Sequence, residues 1–233
     1  MPNHAQLNNV SHKDLRIIKA RGAQYGDSIM SALTFPGEFR DVQAHYPIVF
    51  RKSADGSFEA LALFGFQEGE NLFLGPRGWE AGYIPLAVER QPFLIGISGE
   101  ELMVHVDLDS PRISRSEGEA VFLPHGGTTE YLENVNSMLL ALHNGIQQSR
   151  GFIAALLHCE LLESFVADIE LDDGSQNRLA GFYTIHEERL AALGGPALEG
   201  LHRAGYLQPI YMQIASMSNF RALIDRKNRA NAA

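Results

Sequence analysis

At 233 residues, with 45% hydrophobic and 20% charged side chains, the chain has the composition of an ordinary globular protein that can bury a sizeable core. A formal net charge of −9, with only four Lys among 19 basic residues and those scattered, offers no basic face to a nucleic acid backbone or an anionic lipid surface. A single cysteine, Cys159, permits no internal disulfide, no apolar run is long enough to span a bilayer, and the polar start MPNHAQLNNVSHKD lacks a secretory signal, so the cytoplasm is the expected compartment, with signal-less export the alternative.

In chain order, PGEFRDVQAHY places Phe39, Val42 and Tyr46 at helical intervals behind a proline suited to a first turn. YPIVFRK (46 to 52) and FEALALFGF (58 to 66) are apolar, aromatic and β-branched, and Asp55-Gly56 between them supplies the positive φ of a hairpin turn. The segment GENLFLGPRGWEAGYIPLAVERQPFLI (69 to 95) follows, holding the chain's only tryptophan. PFLIGI (92 to 97) and LMVHVDL (102 to 108) predict a second strand pair around SGEE. The polar LDSPRISRSEGE (108 to 119) reads as a loop, and EAVFLPHGG as a short strand ended by Pro124 and two glycines.

From Thr128 to Arg150, Leu132, Val135, Met138, Leu139 and Leu142 recur at helical spacing. GFIAALLHCELLESF (151 to 165), apolar almost all round, predicts a second helix deep in the core, with Leu157 buried, His158 core-facing and Cys159 inaccessible. Such a helix requires cover on several sides, from the sheet and from the preceding helix or a second subunit. VADIELDDGSQNRLAGFYTIH gives two strand-like runs around Asp173-Gly174, and EERLAALGG and SNFRALIDRKN predict closing helices. The expected fold is α+β: an antiparallel sheet built from hairpins in the first half, packed with helices mainly from the second half, in one domain spanning the chain. A homo-oligomer is compatible with this pattern.

Few residues carry a chemical signature. His105 and Asp107 form an H-x-D step on one face of a predicted strand, as two ligands of a non-haem iron site would, but no third ligand is in register, and no metal or cofactor is expected. Cys159 between His158 and Glu160 lacks nucleophile–base geometry, because neighbours on a helix diverge by about 100°. GISGE (96 to 100) lacks the second half of a serine elbow and reads as a hairpin turn. HGGTTE (125 to 130) could expose backbone N–H groups to an anion, although capping by Thr128 or Thr129 accounts for the same residues. Trp79, Tyr83 and Pro85 suggest an aromatic groove for a proline-containing or extended peptide, with Glu70 and Asn71 as polar anchors, against the alternative that these aromatics merely pack over the sheet.

YPIVF, GENLFL, W-x-x-x-YIP with QPF, VDLDSPRIS with GEAVF, and a late S-x-x-N-x-x-x-L-I segment occur in an order that resembles the SapC family of bacterial proteins, from about residue 12 to residue 228. That family takes its name from a protein linked to a bacterial surface layer, and it is distinct from the membrane-spanning peptide-transporter permease of the same name. The resemblance implies that GENLFL and W-x-x-x-YIP are family signatures, which strengthens Glu70, Asn71, Trp79 and Tyr83 as site residues; His105 and Cys159 match no such motif. Members tend to be encoded beside tryptophan-halogenase-like and iron-dependent hydroxylase-like proteins. The expected role is therefore a non-catalytic binding or accessory protein for a peptide or protein partner, the alternative being an oxygenase-like enzyme of an oxidative modification pathway.

Overall fold

The computed structural model describes residues 3–98 and 101–232. Its elements begin with strands β1 (His4–Gln6), β2 (Arg16–Ile17) and β3 (Ser31–Thr34), helix α1 (Phe39–Val42), and strands β4 (Ile48–Lys52) and β5 (Phe58–Leu63). Next come β6 (Leu74–Gly75), β7 (Gly78–Trp79), α2 (Leu86–Glu89), β8 (Phe93–Ser98), β9 (Glu101–Asp107), β10 (Ile113–Ser114) and β11 (Glu119–Ala120). The remainder is α3 (Glu130–His158), β12 (Leu162–Glu170), β13 (Gln176–Ile185), α4 (Glu187–Ala191), α5 (Gly195–Arg203), α6 (Leu207–Ser216) and α7 (Asn219–Asn231). Short antiparallel strands dominate the first half and helices the second, so the α+β architecture is the one the sequence predicts.

The chain forms two compact units. One contains the residues up to Ser28, Leu74–Trp79 and Leu86–Asn144; the other contains Ile29–Phe73, Glu80–Pro85 and the residues from Gly145 onward. In the first, the sheets β1-β9-β8 and β10-β2-β11 accompany the first half of α3. Leu132, Val135 and Leu139, spaced three and four residues apart, form one buried stripe of that helix and pack with Leu15, Ile17, Phe93, Val106 and Val121. The helix starts where Thr129 Oγ1 accepts the N–H of Leu132 (3.3 Å), so HGGTTE supplies an N-cap. β8 and β9 pair from Phe93↔Val106 to Ser98↔Glu101, and the turn expected at Gly99-Glu100 within GISGE lies outside the described residues.

The second unit is built on one antiparallel sheet of order β12-β13-β4-β5-β3. Both predicted hairpins are present, and both close by the same local chemistry. Asp55 Oδ1 accepts the N–H (3.0 Å) and hydroxyl (2.7 Å) of Ser57, and Asp173 Oδ1 accepts those of Ser175 (2.9 and 2.6 Å), around Gly56 and Gly174 at φ 86° and 80°. These hydroxyl bonds hold both carboxyls below the usual carboxylate range. β13 meets β4 only at Phe182↔Arg51 and Tyr183↔Phe50. Beyond that point Gln213 of α6 takes over, donating to Ile48 O (2.7 Å) and accepting from Ile185 N (3.4 Å). Phe39, Tyr46, Phe50, Phe64 and Phe152 fill the core, with Phe39 and Phe152 edge to face at 6.1 Å.

One predicted element is corrected. There is no second helix over residues 151 to 165: α3 runs unbroken to His158 and the chain re-enters as β12 at Leu162. Leu161 N bonds Leu156 O (2.8 Å) and Glu160 N bonds Leu157 O (3.1 Å), the two bonds of a Schellman stop, with Glu160 at φ 53° in the position usually held by glycine. The apolar surround is shared unequally along α3. Phe152, Ile153 and Leu156 are buried, but Leu157 is 48% exposed, His158 lies at the surface, and Cys159 is only partly covered, so none of these three has the sealed environment expected of it. Leu157→Ala is accordingly expected to cost less than about 1 kcal/mol in urea unfolding, because little transfer energy and no cavity are at stake.

Candidate functional site

The residues of the aromatic segment fall in different units: Glu70, Asn71, Tyr83 and Pro85 in the second, Trp79 in the first. In the second unit the polar groups of that segment already hold internal bonds. Glu70 Oε2 accepts the N–H of Phe66 (2.8 Å), and Oε1 pairs with Lys227 Nζ at 2.6 Å, both side chains being largely buried at 12% and 14% exposure. Asn71 Oδ1 accepts the N–H of Phe73 (3.0 Å), forming an Asx turn. Arg226, one residue before Lys227, lies 4.4 Å above the Phe73 ring and donates to Glu80 O at 3.0 Å. GENLFL is thus the ledge on which α7 docks within this unit.

Tyr83 donates its hydroxyl to Glu38 Oε1 (2.8 Å), and Thr34 Oγ1 donates to Oε2 of the same buried carboxylate (2.7 Å). Burial, then the Glu38 charge, pushes the Tyr83 phenol well above its ordinary range, so it acts as a neutral donor. The Tyr83 carbonyl accepts the hydroxyl of Tyr46, and Pro85 is buried. In the first unit, Trp79 stands opposite Leu74 on the β6–β7 hairpin, half-buried, beside an exposed Pro76-Arg77 tip; Gly78 at φ 97° allows the turn.

His105 and Asp107 have local structural roles. The His105 ring lies against Gly96, where a β-carbon would come within 1.8 Å of it, and Asp107 Oδ1 accepts the N–H of Asp109 (3.1 Å). Among the described residues, no group of three or more His, Cys, Asp and Glu stands close enough to hold a metal ion. Cys159 and His158 line a cleft of about 430 Å³ in the second unit, with Tyr206, Leu201 and the Glu160–Arg189 ion pair. Helix geometry aims these two neighbours apart, and no hydrogen bond joins them.

A second concavity in the second unit, of about 370 Å³, was not singled out from sequence. Its wall is a stripe of α3, Ile146, Ser149, Arg150, Ile153, Ala154 and Leu157, at the spacing i, i+3, i+4, i+7, i+8, i+11 that makes one helix face. Leu33 and Thr34 of β3 and Phe58 to Ala60 of β5 form the other side. Ile146 and Leu157 are 37% and 48% exposed, so the second apolar face of α3 is open within its unit. The periodicity is present in the sequence, but Ile153, Ala154 and Leu157 read there as part of a core helix and Ile146 carries no separate signal.

The chain is a hairpin-built α+β protein with an open apolar groove in its second unit. The chain belongs to the SapC family, whose model matches residues 7–223. No curated protein and no solved structure matches it. Among the described residues, no helix is long and apolar enough to cross a membrane.

Proposed function

We propose that the protein is a non-catalytic binding or accessory protein that takes an extended peptide segment of a partner protein. The observation that carries this reading is the groove of the second unit, where exposed Ile146 and Leu157 face the sheet beside its edge strand β3. An edge strand offers main-chain hydrogen bonds to an added strand, and an adjacent apolar groove receives alternate side chains of the same peptide. Glu59 and Arg150 lie on opposite sides of the groove and give the peptide a direction. The Trp79 hairpin, with its half-buried indole and exposed Pro76-Arg77 tip, is the second contact surface in this proposal.

The test is selection of peptides from a random displayed library, followed by fluorescence anisotropy of the selected peptides against the wild type, Ile146→Glu, Leu157→Glu and Trp79→Ala. A buried glutamate in the complex should weaken groove binding by at least about tenfold, while the exposure of Leu157 leaves folding intact. Binding lost only with Trp79→Ala would move the site to the hairpin. A selection that yields no peptide sensitive to any of the three substitutions would sink the reading.

A further inference from the structure

The first unit contains a small cavity of about 110 Å³, open at one side, whose lining is rich in cations and donors. At its floor Arg112 is 1% exposed. Its guanidinium is otherwise well occupied: Nη2 reaches Asp27 Oδ1 at 2.7 Å, Nη1 reaches the carbonyls of Ala20 (2.9 Å) and Ile18 (3.2 Å), and its carbon lies 5.7 Å from the Tyr25 ring. The third nitrogen is the exception, since Nε is buried with no hydrogen-bond partner among the described residues. A buried charged donor left unmade costs more than an ordinary hydrogen bond gains, so such a group calls for a partner.

The neighbours say what partner would fit. Arg21, also on the lining, pairs with both Asp27 and Glu89; Tyr131 forms a wall, and Lys19 and Asn134 stand at the exposed rim, Lys19 Nζ being 5.7 Å from the Tyr131 ring. Burial chiefly, with the Glu89 charge, pushes the Tyr131 phenol up to about 12, so at neutral pH it presents an O–H donor. Three cations, Lys19, Arg21 and Arg112, stand against Asp27 and Glu89, and the Glu119 carboxylate also acts on Tyr131, so the charges around the cavity balance. An unpartnered Arg112 Nε–H and a phenol O–H call for an acceptor rather than a metal ion, and the volume admits only a few heavy atoms beyond a water or two.

We propose that this cavity binds a small monocarboxylate, its oxygens accepting from Arg112 Nε–H and the Tyr131 hydroxyl and its charge drawn in by Lys19. This site is independent of the peptide groove and stands or falls apart from it. The experiment is isothermal titration of the full chain with sodium formate, acetate and propionate, against sodium chloride at equal ionic strength. Saturable binding with one site per chain is expected for at least one carboxylate and not for chloride.

Because replacing the buried, multiply bonded Arg112 is expected to destabilise this unit, the variants are Tyr131→Phe, which removes one donor and keeps the ring, and Lys19→Gln at the exposed rim. Tyr131→Phe should weaken carboxylate binding by about tenfold, and Lys19→Gln by about threefold, with thermal unfolding confirming that both remain folded. Two results would overturn the proposal: no saturable heat with any of the three carboxylates, which would leave water as the partner of Nε, or binding that is unchanged in both variants.

Discussion

Arg112→Met is expected to cost about 3–5 kcal/mol, the penalty for stripping one member from a buried ion pair and leaving the other charge behind. Arg112 and Asp27 are 1% and 0% exposed, and their 2.7 Å contact is supported by two further bonds from Arg112 Nη1 to backbone carbonyls 92 and 94 residues away. Methionine matches the length of the stem but returns none of these bonds, so two carbonyls lose donors along with the carboxylate. Asp27 keeps Arg21 (3.3 Å) and the N–H of Gly22 (2.8 Å), which is why the expected loss is not larger. Trp79 lies in the same unit and is the only tryptophan, so its fluorescence during urea unfolding reports on this unit. Combining Arg112→Met with Asp27→Leu should cost less than the sum of the two single changes, because each removes the other's unmatched charge. Strict additivity would mean that the pair is not what holds the segment.

That network also marks the limit of what the sequence makes legible. SPRIS shows an arginine in a polar, proline-marked loop, which reads as exposed; the partners that bury it lie 85 or more residues away and leave no local trace. Local chemistry was readable wherever it is complete within a few residues. Asp55-Gly56-Ser57 and Asp173-Gly174-Ser175 each carry their own carboxylate, positive-φ glycine and hydroxyl, and each is a hairpin turn. The stop of α3 is the contrary case. Glutamate at position 160 occupies a left-handed site where glycine is the usual signal, so the apolar run through LLESF concealed a helix end and a strand start. The groove was half legible: the spacing from Ile146 to Leu157 is in the sequence, but which apolar stripe of a two-faced helix stays open depends on where the sheet lies.

Glu70→Ala is expected to destabilise the second unit by about 2–4 kcal/mol and to loosen α7 selectively. In GENLFL the glutamate is the residue most easily taken for a ligand anchor, yet both of its oxygens are committed, one to the N–H of Phe66 and one to Lys227. Its removal opens a backbone donor and leaves Lys227, 14% exposed, without its carboxylate in a largely covered position. Gly65 is part of the same arrangement, since a β-carbon there would lie 2.6 Å from Glu70 O and 2.9 Å from Glu70 Cγ, so the turn has no slack with which to absorb the loss. Arg226 should hold the neighbouring turn of α7 in part, through Phe73 and the carbonyl of Glu80, which confines the damage to the end of the helix near Lys227. Hydrogen exchange is the measurement: amides of α7 after Arg226 should exchange at least about tenfold faster in Glu70→Ala, while those of β4 and β5 keep their protection. Lys227→Met, by contrast, removes the charge that would otherwise be stranded but leaves Glu70 free to hold Phe66, so its cost should be smaller. Unchanged exchange in α7 for Glu70→Ala would mean that the carboxylate is dispensable to the fold, and would return Glu70 to the candidates for contact with a partner.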